Sequence, residues 1–236
     1  MFPIKDDQPR YSTPYVNSFL IGINIVIYLF QWLQIVNDPR SAELFAQQFG
    51  EVPAHLTAFL AGSHRYTLPQ VALPFFTSMF LHAGWAHVLG NMWFLYIFGD
   101  NVEDYLGHLK YLVFYLISGL IAMATQVAIY PNSTIPTVGA SGAIAGVLGA
   151  YFILYPGARV LTWFPPIFIF YVWAWLWLGF WFVVQFLNGT ASLSAANPGR
   201  NGGGIAFWAH VGGFVAGMAM IKLFPERRRR SPYAYR

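Results

Sequence analysis

Charged residues are so sparse in this chain that the gaps between them set the number of membrane-crossing helices. Five intervals contain no Asp, Glu, Lys or Arg: residues 11–37, 66–99, 111–158, 160–199 and 201–221. A helix that crosses the hydrocarbon core needs about 20 largely apolar residues. The third interval is too long for one span and is broken by prolines around an NST segment, so it holds two helices. The sequence therefore predicts six spans.

We place the spans at residues 17–36, 82–99, 110–130, 140–156, 166–187 and 205–224. The first is longer than the apolar core of a signal peptide and lacks a small-residue cleavage site, so we expect a retained helix. This pattern predicts an all-α membrane protein, a bundle of six helices. Only 9% of the residues are charged, which argues against a soluble or nucleic-acid-binding domain. Cysteine is absent, which excludes disulfides and cysteine metal ligands.

The Lys and Arg residues indicate how the bundle is oriented. With the N-terminus inside, ten of them face the cytoplasm and three face outside, which is the usual bias. Both termini are therefore predicted to be cytoplasmic, with a short segment at 1–16 and a basic tail at 225–236 flanking a membrane domain at 17–224. We expect an outer loop with short interfacial helices, a cytoplasmic turn and a Gly-rich outer loop at residues 37–81, 157–166 and 188–204.

Two polar residues of the second predicted span share one helix face. Within its HAGWAHVLGN segment, His87 and Asn91 are four residues apart and lie about 40° apart around the helix, whereas His82 lies off that face. Ionisable side chains in a span usually face the bundle interior or a wet cavity. Taken alone, the pair is typical of an interhelical hydrogen bond.

A serine motif opens the fourth predicted span. The sequence GASG at residues 139–142 places Ser141 at a helix start, where free backbone N–H groups and the positive end of the helix dipole favour an anion. Small residues such as Gly142 allow another helix to approach closely. Ser141 is therefore a candidate nucleophile.

The sixth predicted span supplies a histidine on a stripe of small residues. His210, Gly213 and Gly217 occur at i, i+3 and i+7, so they face one side of the helix. If this stripe packs on the fourth span, the imidazole meets the Ser141 hydroxyl near the outer ends of both helices, where the second span also begins. A base beside a serine, with extra donors nearby, is the arrangement that acyl transfer requires.

Together these motifs resemble those of the rhomboid intramembrane serine proteases. The matching elements are GASG at 139–142, HxxxxHxxxN at 82–91, the segment from Glu103 to Gly107, and AHxxGxxxG at 209–217, within a region from about Phe76 to Phe224. The resemblance implies a six-helix rhomboid fold and a serine endopeptidase without metal or cofactor. It also implies that transmembrane protein substrates are cleaved near the outer end of their helix.

The resemblance assigns a role to each matching residue. Ser141 would be the nucleophile, and His210 would be its general base and later acid, without a carboxylate. The Ser141 backbone N–H and the side chains of His87 and Asn91 would hold the oxyanion. His82 would support the site by hydrogen bonding, together with Gly139. Helix packing would be the role of Gly142, Gly213 and Gly217.

The chain departs from the family pattern at two places. Ala145 stands where several members carry an aromatic ring that stacks on the histidine, so something else must orient His210. The Trp-Arg pair often found in the first outer loop is missing between residues 37 and 81. The remaining polar residues of the spans are assigned to helix packing: Asn24, Gln31, Gln126 and Gln185.

Three other functions compete with proteolysis. A transporter or channel is disfavoured because no acidic residue lies inside a predicted span. A metalloprotease using His82, His87 and His210 lacks an HExxH helix. The strongest rival is a non-catalytic rhomboid-like protein that binds or escorts membrane clients, although such relatives usually lack the serine or the histidine.

The fifth predicted span is rich in tryptophan and phenylalanine. These side chains fit an aromatic belt with lipid-facing packing. The family suggests an alternative, in which this span is a movable wall through which a substrate helix enters beside the second span. For the whole chain we expect a multi-pass protein of the bilayer, in the cell membrane of a prokaryote.

Overall fold

Helices form most of the chain in the computed structural model, which describes residues 1–193 and 205–227. In chain order they are α1 (Tyr15–Asn37), α2 (Ser41–Phe49), α3 (Pro53–Leu60), α4 (Leu68–Ala72), α5 (Pro74–Thr77), α6 (Trp85–Leu106), α7 (His108–Ile129), α8 (Ser141–Leu154), α9 (Ala174–Leu193) and α10 (Phe207–Met220). Short 3-10 turns at Ser78–Phe80 and Ile221–Leu223 follow α5 and α10.

By length and composition, three helices are able to cross a membrane: α1, α7 and α9. The other long helix, α6, has acidic residues near its C-terminal end, and α8 and α10 have 14 residues each. Each predicted span thus overlaps one helix of the structure, whereas the six-span count and the cytoplasmic termini stay predictions.

Helix α8 lies at the centre of the bundle and packs against α6, α7 and α10. Its residues from Gly142 to Tyr151 are all buried. The close approach of α8 and α10 requires glycine, because a Cβ atom at Gly213 or Gly217 would overlap the carbonyl oxygen of Gly142 or Gly146, respectively. The small-residue stripe of the sixth predicted span therefore faces α8.

A buried carboxylate at the end of α6 holds the start of α1. Glu103 accepts hydrogen bonds from the backbone N–H groups of Val16 (3.0 Å) and Asn17 (2.7 Å). Free N–H groups at a helix N-terminus favour an anion. Because its acidic residues find partners in the N-terminal segment, α6 continues to Leu106, beyond residue 99 where the second span was expected to end.

A three-stranded antiparallel sheet corrects the predicted all-α class. The strands pair in the order β1 (Phe2–Asp6), β2 (Arg159–Phe164) and β3 (Phe168–Trp173). Residues 157–166, expected to be a turn, contain β2, and the helix expected from residue 166 begins only at Ala174. The reason is local, since RVLTWF and FIFYVW are β-branched and aromatic runs. The Pro165–Pro166 pair between them cannot continue a helix.

The segment predicted as the first outer loop carries the short helices α2 to α5. Within it, Glu51 exchanges backbone hydrogen bonds with Thr137, at 3.0 and 2.7 Å. This bridge fixes the loop against the segment that leads into α8. In the second predicted outer loop, α9 extends to Leu193, while residues 194–204 lie outside the described residues, as do residues 228–236 of the predicted tail.

Candidate active site

Ser141 and His210, the two residues predicted to meet, are in direct contact. Ser141 is the first residue of α8, and His210 lies in the first turn of α10. The Nε2 atom of His210 is 2.8 Å from the Oγ atom of Ser141, which is a hydrogen-bonding distance. The contact follows from the glycine packing described above, because it brings the N-terminal ends of the two helices together.

The second ring nitrogen of His210 contacts α9. Its Nδ1 atom is 2.8 Å from the Oε1 atom of Gln185. The ring of Trp181, one turn earlier on α9, lies 5.8 Å from the imidazole between ring centroids, at an angle of 33°. The assignment of Gln185 to helix packing is thereby corrected. The sequence shows only the four-residue spacing from Trp181, which puts both side chains on one face but does not show that this face meets His210.

His87 and Asn91 line the same cavity as the Ser141–His210 pair. The cavity has a volume of about 580 Å³. His87 accepts a hydrogen bond at Nδ1 from the backbone N–H of Ala83 (3.4 Å), so its Nε2 atom carries the proton. The Nδ2 atom of Asn91 has no hydrogen-bond partner among the described residues. Each side chain thus offers a donor to an anion in the cavity.

Gly139 makes room for the imidazole of His87. Its φ of 128° lies in the left-handed region that favours glycine. A Cβ atom at this position would lie 2.7 Å from the Nε2 atom of His87. The Gly139 N–H donates to the carbonyl oxygen of Ser78 at 2.8 Å, which fixes the backbone two residues before Ser141.

His82 precedes α6 and packs edge-on against His87, with 5.0 Å between ring centroids. Its backbone N–H donates to Gln31 at 3.2 Å. These contacts place His82 beside the other cavity-lining histidine, and its expected supporting role stays a prediction. In residues 1–193 and 205–227, no group of three His, Cys, Asp or Glu side chains is arranged to hold a metal ion.

The first backbone N–H groups of α8 also border the site. The first turn of an α-helix leaves its N–H groups without intrahelical acceptors, and the helix dipole adds a partial positive charge there. Ser141 is the first of these residues, so its own N–H lies beside its hydroxyl. His87 and Asn91 line the same cavity as Ser141, so with this N–H the site has three candidate donors.

Comparison with known proteins gives the family. The model of the Rhomboid domain matches residues 69–227. Rhomboid-like protein 11, chloroplastic, from Arabidopsis thaliana is 40% identical over 73 residues, covering 31% of this chain and 26% of that protein. Putative rhomboid protease YdcA from Bacillus subtilis is 36% identical over 78 residues, covering 33% and 39%. Rhomboid protein 1, mitochondrial, from Saccharomyces cerevisiae is 32% identical over 146 residues, covering 60% and 38%.

These relatives are matched over less than half of their own length. The chloroplast and mitochondrial names do not fit the prokaryotic cell membrane that the sequence analysis expects. The domain match nevertheless covers well over half of the chain and contains every motif from which the resemblance was drawn. The chain therefore belongs to the rhomboid family and is an integral membrane protein.

Proposed function

We propose that this chain is an intramembrane serine protease that hydrolyses a peptide bond in or near the transmembrane segment of membrane-protein substrates. The observation that carries the proposal is the 2.8 Å contact between His210 Nε2 and Ser141 Oγ. A serine with a base at this distance is an activated nucleophile. Membership of the rhomboid family supports the substrate class.

Acylation begins when Ser141 Oγ attacks the carbonyl carbon of the scissile bond and its proton passes to His210 Nε2. The charge that develops on the carbonyl oxygen is bound by the Ser141 N–H, Asn91 Nδ2 and His87 Nε2–H. Such preorganised donors lower the barrier because they stabilise the oxyanion more than the ground-state carbonyl. His210 then gives its proton to the amide nitrogen, the C–N bond breaks, and the amine product leaves an acyl-enzyme.

Deacylation repeats the proton transfers with water. A water molecule loses a proton to His210 Nε2 as its oxygen attacks the acyl carbon. The second tetrahedral intermediate collapses, the bond to Ser141 Oγ breaks, and the proton returns from His210 to that oxygen. The carboxylic acid product leaves, and both side chains are restored.

The proposed topology has six spans with both termini in the cytoplasm, which puts the N-terminal end of α8 toward the outside. With 14 residues, α8 is about 21 Å long, shorter than the roughly 30 Å hydrocarbon core. A helix this short supports a serine that lies below the outer membrane surface. The cavity in front of Ser141 would admit the water that hydrolysis needs.

The test is cleavage of a single-pass membrane substrate by the purified protein in detergent. We expect Ser141→Ala and His210→Ala to lower the cleavage rate at least about 10³-fold, since the serine and the histidine act as one unit and each substitution removes one of them. Ser118→Ala, which changes a buried serine of α7, is the matched control and should keep the parent rate. Cleavage that survives Ser141→Ala or His210→Ala would contradict the proposal. Client binding without cleavage by the parent would favour the non-catalytic escort.

A further inference from the structure

Each ring nitrogen of His210, the base of the proposed dyad, has a hydrogen-bond partner, and the second partner comes from α9. We infer that Gln185 is the positioning residue that sets the tautomer and orientation of His210, and that the proposed dyad is therefore competent only while α9 stays in place. The inference rests on the proposed function. It starts from the 2.8 Å contact between His210 Nδ1 and Gln185 Oε1.

The contact fixes which ring nitrogen carries the proton. An amide oxygen accepts hydrogen bonds and does not donate them, so the Nδ1 atom that faces it must be protonated. In a neutral imidazole the other nitrogen then holds a lone pair. That nitrogen, Nε2, faces the Ser141 hydroxyl at 2.8 Å, which is the arrangement a general base needs.

No other described side chain takes this role. Ala145, one turn after Ser141 on α8, is fully buried and carries only a methyl group. The aromatic contact to the imidazole comes instead from Trp181, one turn before Gln185 on α9. Among the described residues, His210 Nδ1 has its hydrogen bond to Gln185 and to no other group. In this chain the side chains that orient His210 therefore lie on α9 and not on α8.

An amide suits this position better than a carboxylate does. The site lies within the helical bundle, where burying an unpaired charge is costly. Gln185 supplies an acceptor without a charge, so the resting site contains a neutral imidazole, a neutral hydroxyl and a neutral amide. When Nε2 gains the serine proton, Nδ1 keeps its hydrogen bond to the same oxygen, and the ring does not have to rotate during the reaction.

The helix that carries Gln185 lies at the edge of the bundle. Along α9 only Ala174, Trp177, Leu178 and Gly189 are buried, whereas α8 is buried from Gly142 to Tyr151. A shift of α9 would leave the glycine-packed pair of α8 and α10 intact but would withdraw Oε1 from Nδ1. Ser141 and His210 would stay close, while the tautomer would no longer be fixed.

The experiment compares Gln185→Leu, which removes the acceptor, with Gln185→Glu, which keeps one. Asn188→Leu is the matched control, because Asn188 is an exposed amide of α9 whose side chain donates to the carbonyl oxygen of Val184 on the same helix (2.8 Å). For each variant we would measure kcat and KM on the single-pass substrate. Nitrogen NMR of histidine-labelled protein would give the tautomer of His210, which a His210→Gln spectrum assigns.

We expect Gln185→Leu to lower kcat about 10- to 100-fold with KM within twofold, and to lose the Nδ1-protonated signal of His210. Gln185→Glu should retain at least a fifth of the parent kcat, and Asn188→Leu should behave like the parent. A Gln185→Leu variant that keeps kcat within twofold, that loses activity through KM alone, or that keeps the tautomer of the parent overturns the inference.

If Gln185→Leu and Gln185→Glu both lose activity, the NMR tautomer of His210 decides whether Gln185 positions the ring or has only a structural role in α9. The parent and Ser141→Ala form the separate test of the proposed function. A parent that cleaves no substrate removes that function, whereas the tautomer of His210 in Gln185→Leu still shows whether Gln185 positions the ring.

Discussion

Asn91 is one of three donors proposed for the oxyanion, so its removal should be milder than removal of the nucleophile. We expect Asn91→Ala to lower kcat by roughly 10²–10³, the usual effect of losing one oxyanion donor, because His87 and the Ser141 N–H remain. Ser141→Ala should lose more. The measurement is kcat on one membrane substrate with KM determined in parallel. Equal losses from the two substitutions would mean that Asn91 has a structural role.

Glu51 is a residue of the first predicted outer loop whose burial has a measurable consequence. Its side chain is 1% exposed, and burial raises the pKa of its carboxyl from 4.5 to about 7. The folded protein therefore holds a proton that the unfolded chain releases at lower pH. The stabilisation due to this proton is full below pH 4.5 and is lost as the pH rises through about 7.

We expect Glu51→Gln to remove this pH dependence. Between pH 5 and 7 the parent should lose stability relative to the variant by about 1 kcal/mol per pH unit, the free-energy equivalent of one proton. The measurement is the thermal midpoint of both proteins in the same detergent across pH 5 to 8. Parallel midpoint curves for parent and variant would show that Glu51 does not titrate in this range. Glu43→Gln, which changes an exposed carboxyl of α2, should give the parent curve.

At the scale of elements, a buried carboxylate of α6 binds the N-terminal end of α1. Glu103, fully buried, binds the first N–H groups of α1, as described above. Hydrogen bonds to a charged group contribute about 1.5–3 kcal/mol each. We therefore expect Glu103→Gln to lower the free energy of unfolding by about 2–3 kcal/mol. The measurement is chemical unfolding in mixed micelles, with the exposed Glu43→Gln as control, and an unchanged unfolding midpoint would contradict the capping role.

The elements also show how far the sequence determines this structure. The helices follow from long charge-free intervals, and the contact of Ser141 with His210 could be anticipated because Gly213 and Gly217 mark the face on which α10 packs. The strand pair of β2 and β3 was missed because residues 160–184 carry no charge and are mostly apolar, so hydropathy does not distinguish two strands from the start of a span.

Gln185 was missed for a different reason. Its partner is set by the rotation of α9 about its own axis, relative to α10. That rotation is a property of tertiary packing, which the spacing of residues along one helix does not specify. The pairing of Glu103 with the start of α1 is hidden in the same way, since 86 residues separate it from Asn17. Local pattern gives the helices, while contacts between distant residues need the fold.

At the scale of the whole molecule, the bundle has a central part and a peripheral part. The central part is the buried helix α8 with α7 and α10, which position Ser141 and His210. The peripheral part is α9, whose contact with α6 includes Trp177 against Phe94 and Phe98, with ring centroids 5.6 and 6.0 Å apart. If a substrate helix enters between α6 and α9, this aromatic contact must open. The dyad is then complete again only after Gln185 has returned to His210.

A crosslink between α6 and α9 would distinguish an effect on substrate entry from an effect on the reaction at Ser141. The chain has no cysteine, so Phe94→Cys with Trp177→Cys introduces the only reactive pair for a short bifunctional reagent. We expect the crosslinked protein to cleave a membrane-embedded substrate at least about tenfold more slowly than the same variant without reagent, because the covalent link holds α6 and α9 together where the aromatic contact stood. A small water-soluble fluorophosphonate should still label Ser141 at the unlinked rate, since α9 and Gln185 are held in position. Undiminished cleavage by fully crosslinked protein would show that substrates reach Ser141 by another route, and α9 would then be a fixed wall that orients the histidine.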